Sequence, residues 1–170
     1  MVGTIDWAMV SSWAALVTAA GAVVSLWIQN RHARVTRSLD IFLRLEAKYD
    51  SERMKDLRRK ASAGLLEGKL VDDAFYVMDF FEETGLLLRM KAIQKEILFE
   101  NFYHSILAYW FTAKKLIVDL RRENKELYDH FEFLAEQDLV YARKKTGEGI
   151  SKLQEAASWR YFMERESHAS

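Results

Sequence analysis

An uninterrupted run without charged side chains, from Trp7 to Ile28, constrains this chain more than any other feature of its sequence. As an α-helix the run would span roughly 33 Å, and the hydrocarbon core of a bilayer is roughly 30 Å thick. Trp7 and Trp27 lie near its two ends, where indole rings favour the boundary between lipid and water. The run therefore predicts one N-terminal transmembrane helix, with residues 1–30 as the anchor.

The charges beside this run predict its orientation. Arg31, Arg34 and Arg37 follow it, whereas Asp6 is the one charged side chain before it. Positive charge is retained on the cytoplasmic side, so we expect the N-terminus outside and residues 31–170 in the cytoplasm. A cleaved signal peptide is the alternative, but it needs a basic segment, and residues 1–6 contain no lysine or arginine.

Two missing residue types narrow the fold and the chemistry. The chain has no proline, the residue that most reliably ends helices, so long helices and an all-α fold are expected. It has no cysteine, which excludes disulfides, thiolate metal sites and cysteine nucleophiles. Half of its residues are hydrophobic, enough for one packed core.

Apolar periodicity predicts that the first helix continues from the anchor to about Tyr49 and that about five further helices form a bundle. Ser51 or Asp50 can cap the second helix, and Asp72 or Asp73 the third. The further helices are expected at residues 51–68, 72–89, 94–122, 127–147 and 150–166.

An acidic cluster, Asp79, Glu82 and Glu83, is the clearest candidate for a metal site or a pair of catalytic carboxylates. A di-metal bundle would also need Glu-x-x-His spacings on other helices, and no histidine here has a glutamate three residues before it. We therefore predict no metal site and no cofactor. Glu82 beside two phenylalanines is expected to be partly buried and to form a structural ion pair with Arg58 or Arg59.

An arginine close to a histidine is a weaker candidate site, because such a pair can bind a phosphate and move a proton, as in metal-independent ribonucleases. Arg122 and His130 have seven residues between them. That is one more than the longest spacing in the Arg-x4-6-His motif of HEPN-type ribonucleases. We predict no catalytic residue here and expect His130 to be a helix-packing residue.

Charge indicates the bilayer, and not nucleic acid, as a partner. The whole chain balances 25 basic against 25 acidic residues, although residues 31–60 carry a basic surplus. The arginines after the anchor are explained by topology and by anionic headgroups. We do not expect nucleic acid to bind, because binding would need aromatic side chains interleaved on the exposed face, and the aromatics here lie on the expected core faces.

Small side chains recur every four residues in the anchor and predict a helix-packing face. One row is Ser11, Ala15 and Ala19, and the other is Ala14, Thr18 and Ala22. In lipid, small residues let helix backbones approach closely. We therefore expect a homo-oligomer formed through the anchor.

With these features the chain resembles an uncharacterised bacterial family of membrane-anchored helical proteins. The resemblance covers nearly the whole chain, and its most specific elements are a Phe-Phe-Glu-x-x-Gly motif at residues 80–85 and a Tyr-Trp pair at residues 109 and 110 followed by Arg121. It implies a place in the bacterial inner membrane. In architecture alone the chain is also similar to small membrane accessory proteins of RNA-targeting CRISPR systems, which form oligomeric pores.

Three functions remain open at the level of sequence. The first is a self-associating membrane adaptor or scaffold without enzymatic activity, which binds an unidentified cytoplasmic protein. The second is a defence-associated effector that forms a pore, and the third is a HEPN-like ribonuclease.

Overall fold

A computed structural model describes the backbone of residues 7–147 and 156–169, and the side chains of residues 21–145, 147 and 159–169. Over these residues the chain forms six helices and no strand, which confirms the all-α expectation for this part of the chain. The helices are α1 Trp7–Tyr49, α2 Glu52–Leu66, α3 Asp72–Arg89, α4 Lys95–Leu120, α5 Asp129–Thr146 and α6 Ala156–His168.

Local signals explain both ends of α2 but not the start of α3. Ser51 caps α2, where its hydroxyl accepts the Met54 N–H at 3.3 Å. Gly68 follows α2 with φ +71°, a left-handed conformation that glycine adopts at low cost. The expected cap of α3 was wrong, because Val71 occupies the cap position without a side-chain hydrogen bond and Asp72 lies in the first turn.

The chain divides into two compact units, residues 1–37 and residues 38–170. In the first unit, residues 7–37 belong to α1, and the side chains of residues 21–37 are exposed. In the second unit α3 packs against α2 and α5, while α6 packs against α2 and α4. The interface between α4 and α5 completes this helical unit.

Aromatic side chains fill the centre of the helical unit. Tyr49 at the end of α1 contacts Phe80 of α3 at 5.3 Å and Phe102 of α4 at 5.1 Å between ring centroids. Phe81 of α3 stacks on Phe131 of α5 at 5.1 Å with the rings 15° from parallel. Such pairs add about 0.5–1.5 kcal/mol each to the free energy of burying their area, so they fix which helix faces meet.

Among the residues that the structure describes, no helix combines the length and the apolar character that a bilayer crossing requires. Most of the predicted anchor face lies outside the described side chains, namely Ser11, Ala14, Ala15, Thr18 and Ala19. Its remaining member, Ala22, is exposed.

Candidate functional site

The carboxylate of Glu82 binds the N-terminus of another helix. It accepts the backbone N–H of Phe131 at 2.7 Å and that of His130 at 3.3 Å, both in the first turn of α5. N–H groups in the first turn have no partner within their own helix, and the positive end of the helix dipole favours a negative charge there. Glu82 on α3 therefore caps α5 from outside.

Gly85 allows α3 and α5 to approach at this point. A Cβ atom added to Gly85 would lie 2.0 Å from the carbonyl oxygen of His130. No backbone atom tolerates that distance, so any larger residue must push α5 away. Because Phe81 also stacks on Phe131, the Phe-Phe-Glu-x-x-Gly segment acts as the docking surface between α3 and α5.

The two other acidic residues of the cluster have separate partners. Asp79 accepts a hydrogen bond from the Tyr128 hydroxyl at 3.2 Å, and Glu83 pairs with Lys48 at 2.5 Å. Over the residues that the structure describes, no group of three histidine or acidic side chains could hold a metal ion. The cluster thus joins α3 to the start of α5 and to the end of α1, and it does not converge on one point.

The predicted pair of Glu82 with Arg58 or Arg59 is replaced by other contacts. Arg58 lies 3.5 Å from Glu166 of α6, and Arg59 pairs with Asp56 on its own helix at 2.5 Å. The physical reason is that the α5 N-terminus supplies Glu82 with two N–H donors, so this carboxylate is neutralised without a cation.

Arg58 belongs to a buried polar cluster between α1, α2, α4 and α6. Its guanidinium carbon lies 3.8 Å from the centre of the Tyr49 ring, and its backbone carbonyl accepts the Tyr109 hydroxyl at 3.1 Å. Burial raises the pKa of Glu166, and the Arg58 charge opposes that rise. A cavity of about 500 Å³ opens beside Arg58 and Glu166, but Glu166 already neutralises the arginine.

The weaker candidate site, Arg122 with His130, is not brought together, because each residue contacts a different partner. Arg122 is exposed and bonds Asp119 at 3.1 Å, one helical turn before it. The His130 ring lies beside Arg89 of α3, with 3.3 Å between Nη1 and Nδ1. The structure therefore contains an arginine–histidine contact, but its arginine comes from a helix that sequence spacing did not suggest.

Arg121, an element of the resemblance, holds the turn between α4 and α5. Its Nε donates to the Leu127 carbonyl at 2.8 Å, and its two terminal nitrogens reach Glu132 at 2.5 Å and Asp129 at 3.2 Å. Three contacts from one planar side chain fix the direction in which α5 starts. The role of this arginine is therefore to position a helix.

Sequence reasoning missed Asp138 of α5. Its side chain is fully buried, and within the described part of the chain neither carboxylate oxygen has a hydrogen-bond partner. Burial raises the pKa of Asp138 from 3.8 to about 8. The signal was present, because Asp138 falls at helical spacing in a stripe of otherwise apolar residues: Phe131, Leu134, Ala135 and Ala142.

Comparison with known proteins places the chain in a family. No curated protein and no solved structure matches it. The model of a family described as "Domain of unknown function (DUF4760)" matches residues 12–137, from the apolar N-terminal run to the middle of α5. That match covers well over half of the sequence. The chain therefore belongs to the DUF4760 family.

Proposed function

We propose that this protein is a self-associating membrane adaptor, with its apolar N-terminal segment in the bacterial inner membrane and its helical unit in the cytoplasm. The helical unit acts by binding a protein partner, not by catalysis. Large apolar side chains of α1 are exposed by 43% to 66%, namely Val23, Val24, Leu26, Trp27 and Ile28. A place in the membrane explains this exposure. This observation carries the proposal, because such a surface is costly in water and favourable in lipid.

The charged residues of the helical unit support the adaptor part. Glu82 caps a helix, Arg121 positions a turn, and Arg58 is neutralised by Glu166. Each of these groups is used to join helices. In this proposal the partner binds through other side chains on the outer surface of the helical unit.

Membrane fractionation tests the tether. We expect the full-length protein to stay with membranes through high-salt and alkaline washes, as a spanning helix does. Replacing Leu16 and Val17 together with lysine should release it, because each charge at the centre of a span costs about 2.5–3.5 kcal/mol. The matched control puts the same two charges at the exposed positions Val118 and Tyr161, and should remain in membranes. A wild-type protein found wholly in the soluble fraction would refute the proposal.

A further inference from the structure

We propose that a groove beside α5 binds an acidic amphipathic segment of a protein partner. This inference rests on the proposed adaptor function and names the surface that would perform it. On one side the groove is built from the end of α3, the turn that follows it and the first residues of α4; on the other side it is built from one face of α5. We call it the lysine groove.

Two adjoining cavities form the lysine groove. The first has a volume of about 210 Å³, with Leu88, Ile93 and Phe133 as its apolar lining and Lys91 and Lys95 at its edge. The second has a volume of about 320 Å³ and continues along α5 past Val140, Tyr141 and Lys144. Lys95 and Gln137 line both cavities, so the surface is continuous.

The lysines of the groove are available to a ligand. Over the residues that the structure describes, Lys91, Lys95 and Lys144 form no ion pair, and all three are exposed. The acidic residues in the lining are Glu96 and Glu100, and Glu100 is already bound by Lys145 at 2.6 Å. The groove therefore has a positive surplus that a ligand with carboxylates would neutralise.

The backbone conformation of Lys91 is a second, independent indication that the groove binds a ligand. Lys91 has φ +57° at the end of α3, where its N–H bonds the Leu88 carbonyl and the Ala92 N–H bonds the Leu87 carbonyl, each at 2.9 Å. Helices that end in this way usually have glycine at the left-handed position, because a Cβ atom is strained there. Strain that is kept in a fold tends to lie at functional sites. A lysine at this position is less stable than a glycine would be, but it places a cation at the edge of the groove.

The apolar lining favours a protein segment as the ligand. A phosphate or a free anion would need only the cations, whereas Phe133 is half-buried and Val140 is 62% exposed on the same face of α5. An amphipathic helix could bury its apolar side chains on this face while its carboxylates reach the flexible lysines. Charge and apolar surface together thus point to an acidic amphipathic segment.

A peptide titration tests the groove. The probe is a labelled 16-residue helix-forming peptide with leucines on one face and glutamates beside them, and its control peptide has glutamine for every glutamate. Binding to the full-length protein in non-ionic detergent is followed by fluorescence anisotropy. We expect the glutamate peptide to bind more tightly, and reversal of Lys91 and Lys95 to glutamate to weaken it by about tenfold or more. The same reversal at exposed Lys114 and Lys115 on α4 is the matched control and should change affinity by less than about twofold.

Lys91→Gly separates binding from folding. It removes the charge and relieves the left-handed strain, so the variant should melt at the same or a higher temperature and still bind the peptide several-fold more weakly. A purely structural role for Lys91 would predict no loss of binding.

The lysine groove would be refuted in three ways: no binding of the glutamate peptide, binding that is unchanged by the Lys91 and Lys95 reversal, or binding of phosphatidylglycerol vesicles through these lysines in place of the peptide. None of these results affects membrane fractionation. If the peptide does not bind but the protein stays in membranes, the groove proposal fails and the membrane tether stands. If wild-type protein is soluble, the tether proposal fails, and the peptide titration still decides the groove.

Discussion

Replacing Asp138 with asparagine should remove a large part of the dependence of stability on pH. The carboxylate is fully buried without a hydrogen-bond partner in the described residues, and burial raises its pKa from 3.8 to about 8. Asparagine has nearly the same shape and does not ionise. Wild type and Asp138→Asn therefore differ only in the titration of the Asp138 carboxyl.

The sign and size of the effect follow from linkage. A carboxyl whose pKa is raised in the folded state stabilises that state only while it is protonated. Its contribution is complete below about pH 4 and is lost as the pH rises through 8. The full change is about 5–6 kcal/mol, at 1.36 kcal/mol per pH unit, and about 2.5 kcal/mol of it falls between pH 6 and pH 9.

The assay is urea unfolding of both full-length proteins in detergent, followed by circular dichroism at several values between pH 6 and pH 9. The Glu166 carboxyl, whose pKa burial also raises, titrates in both proteins and cancels in their difference. We expect Asp138→Asn to gain stability over wild type as the pH rises, by about 2.5 kcal/mol at pH 9 relative to pH 6. A difference that stays constant over this range would show that Asp138 is not buried as a protonated acid.

Three further substitutions test the helix contacts. Gly85→Ala should lower the free energy of unfolding by about 3 kcal/mol, because the new Cβ meets the α5 backbone. Gly21→Ala is the control: a Cβ there has no atom within 4 Å, so it should not destabilise the protein. Denaturant unfolding measures both variants. Glu82→Ala should cost about 2 kcal/mol through two unpaired N–H groups and lower the melting temperature, and an unchanged melting temperature would contradict the capping role. Leucine at Ala15 and Ala22 should preserve membrane insertion but weaken crosslinked oligomers, and an unchanged crosslinking ladder would rule out association through the anchor face.

The sequence by itself determined the helical class and most helix positions. The absence of proline, the apolar periodicity and a cap such as Ser51 act within a few residues, so they can be read without knowing the neighbours of a helix. The end of α1 at Tyr49 and the start of α5 were anticipated on this basis to within a few residues. The end of α3 lay at Arg89 as expected, although its left-handed Lys91 was not foreseen.

Only the tertiary structure decided the partners of the charged and small residues. Glu82 is partly buried, as its two phenylalanine neighbours predicted, but its spacing could not show that the N-terminus of α5 would lie opposite it. Arg58 has Glu166 as its partner because α6 packs on α2, and Gly85 is required because the backbone of His130 passes it. Periodicity shows which face of a helix is buried but not which element covers it, and a buried carboxylate is satisfied equally by a cation or by free N–H groups.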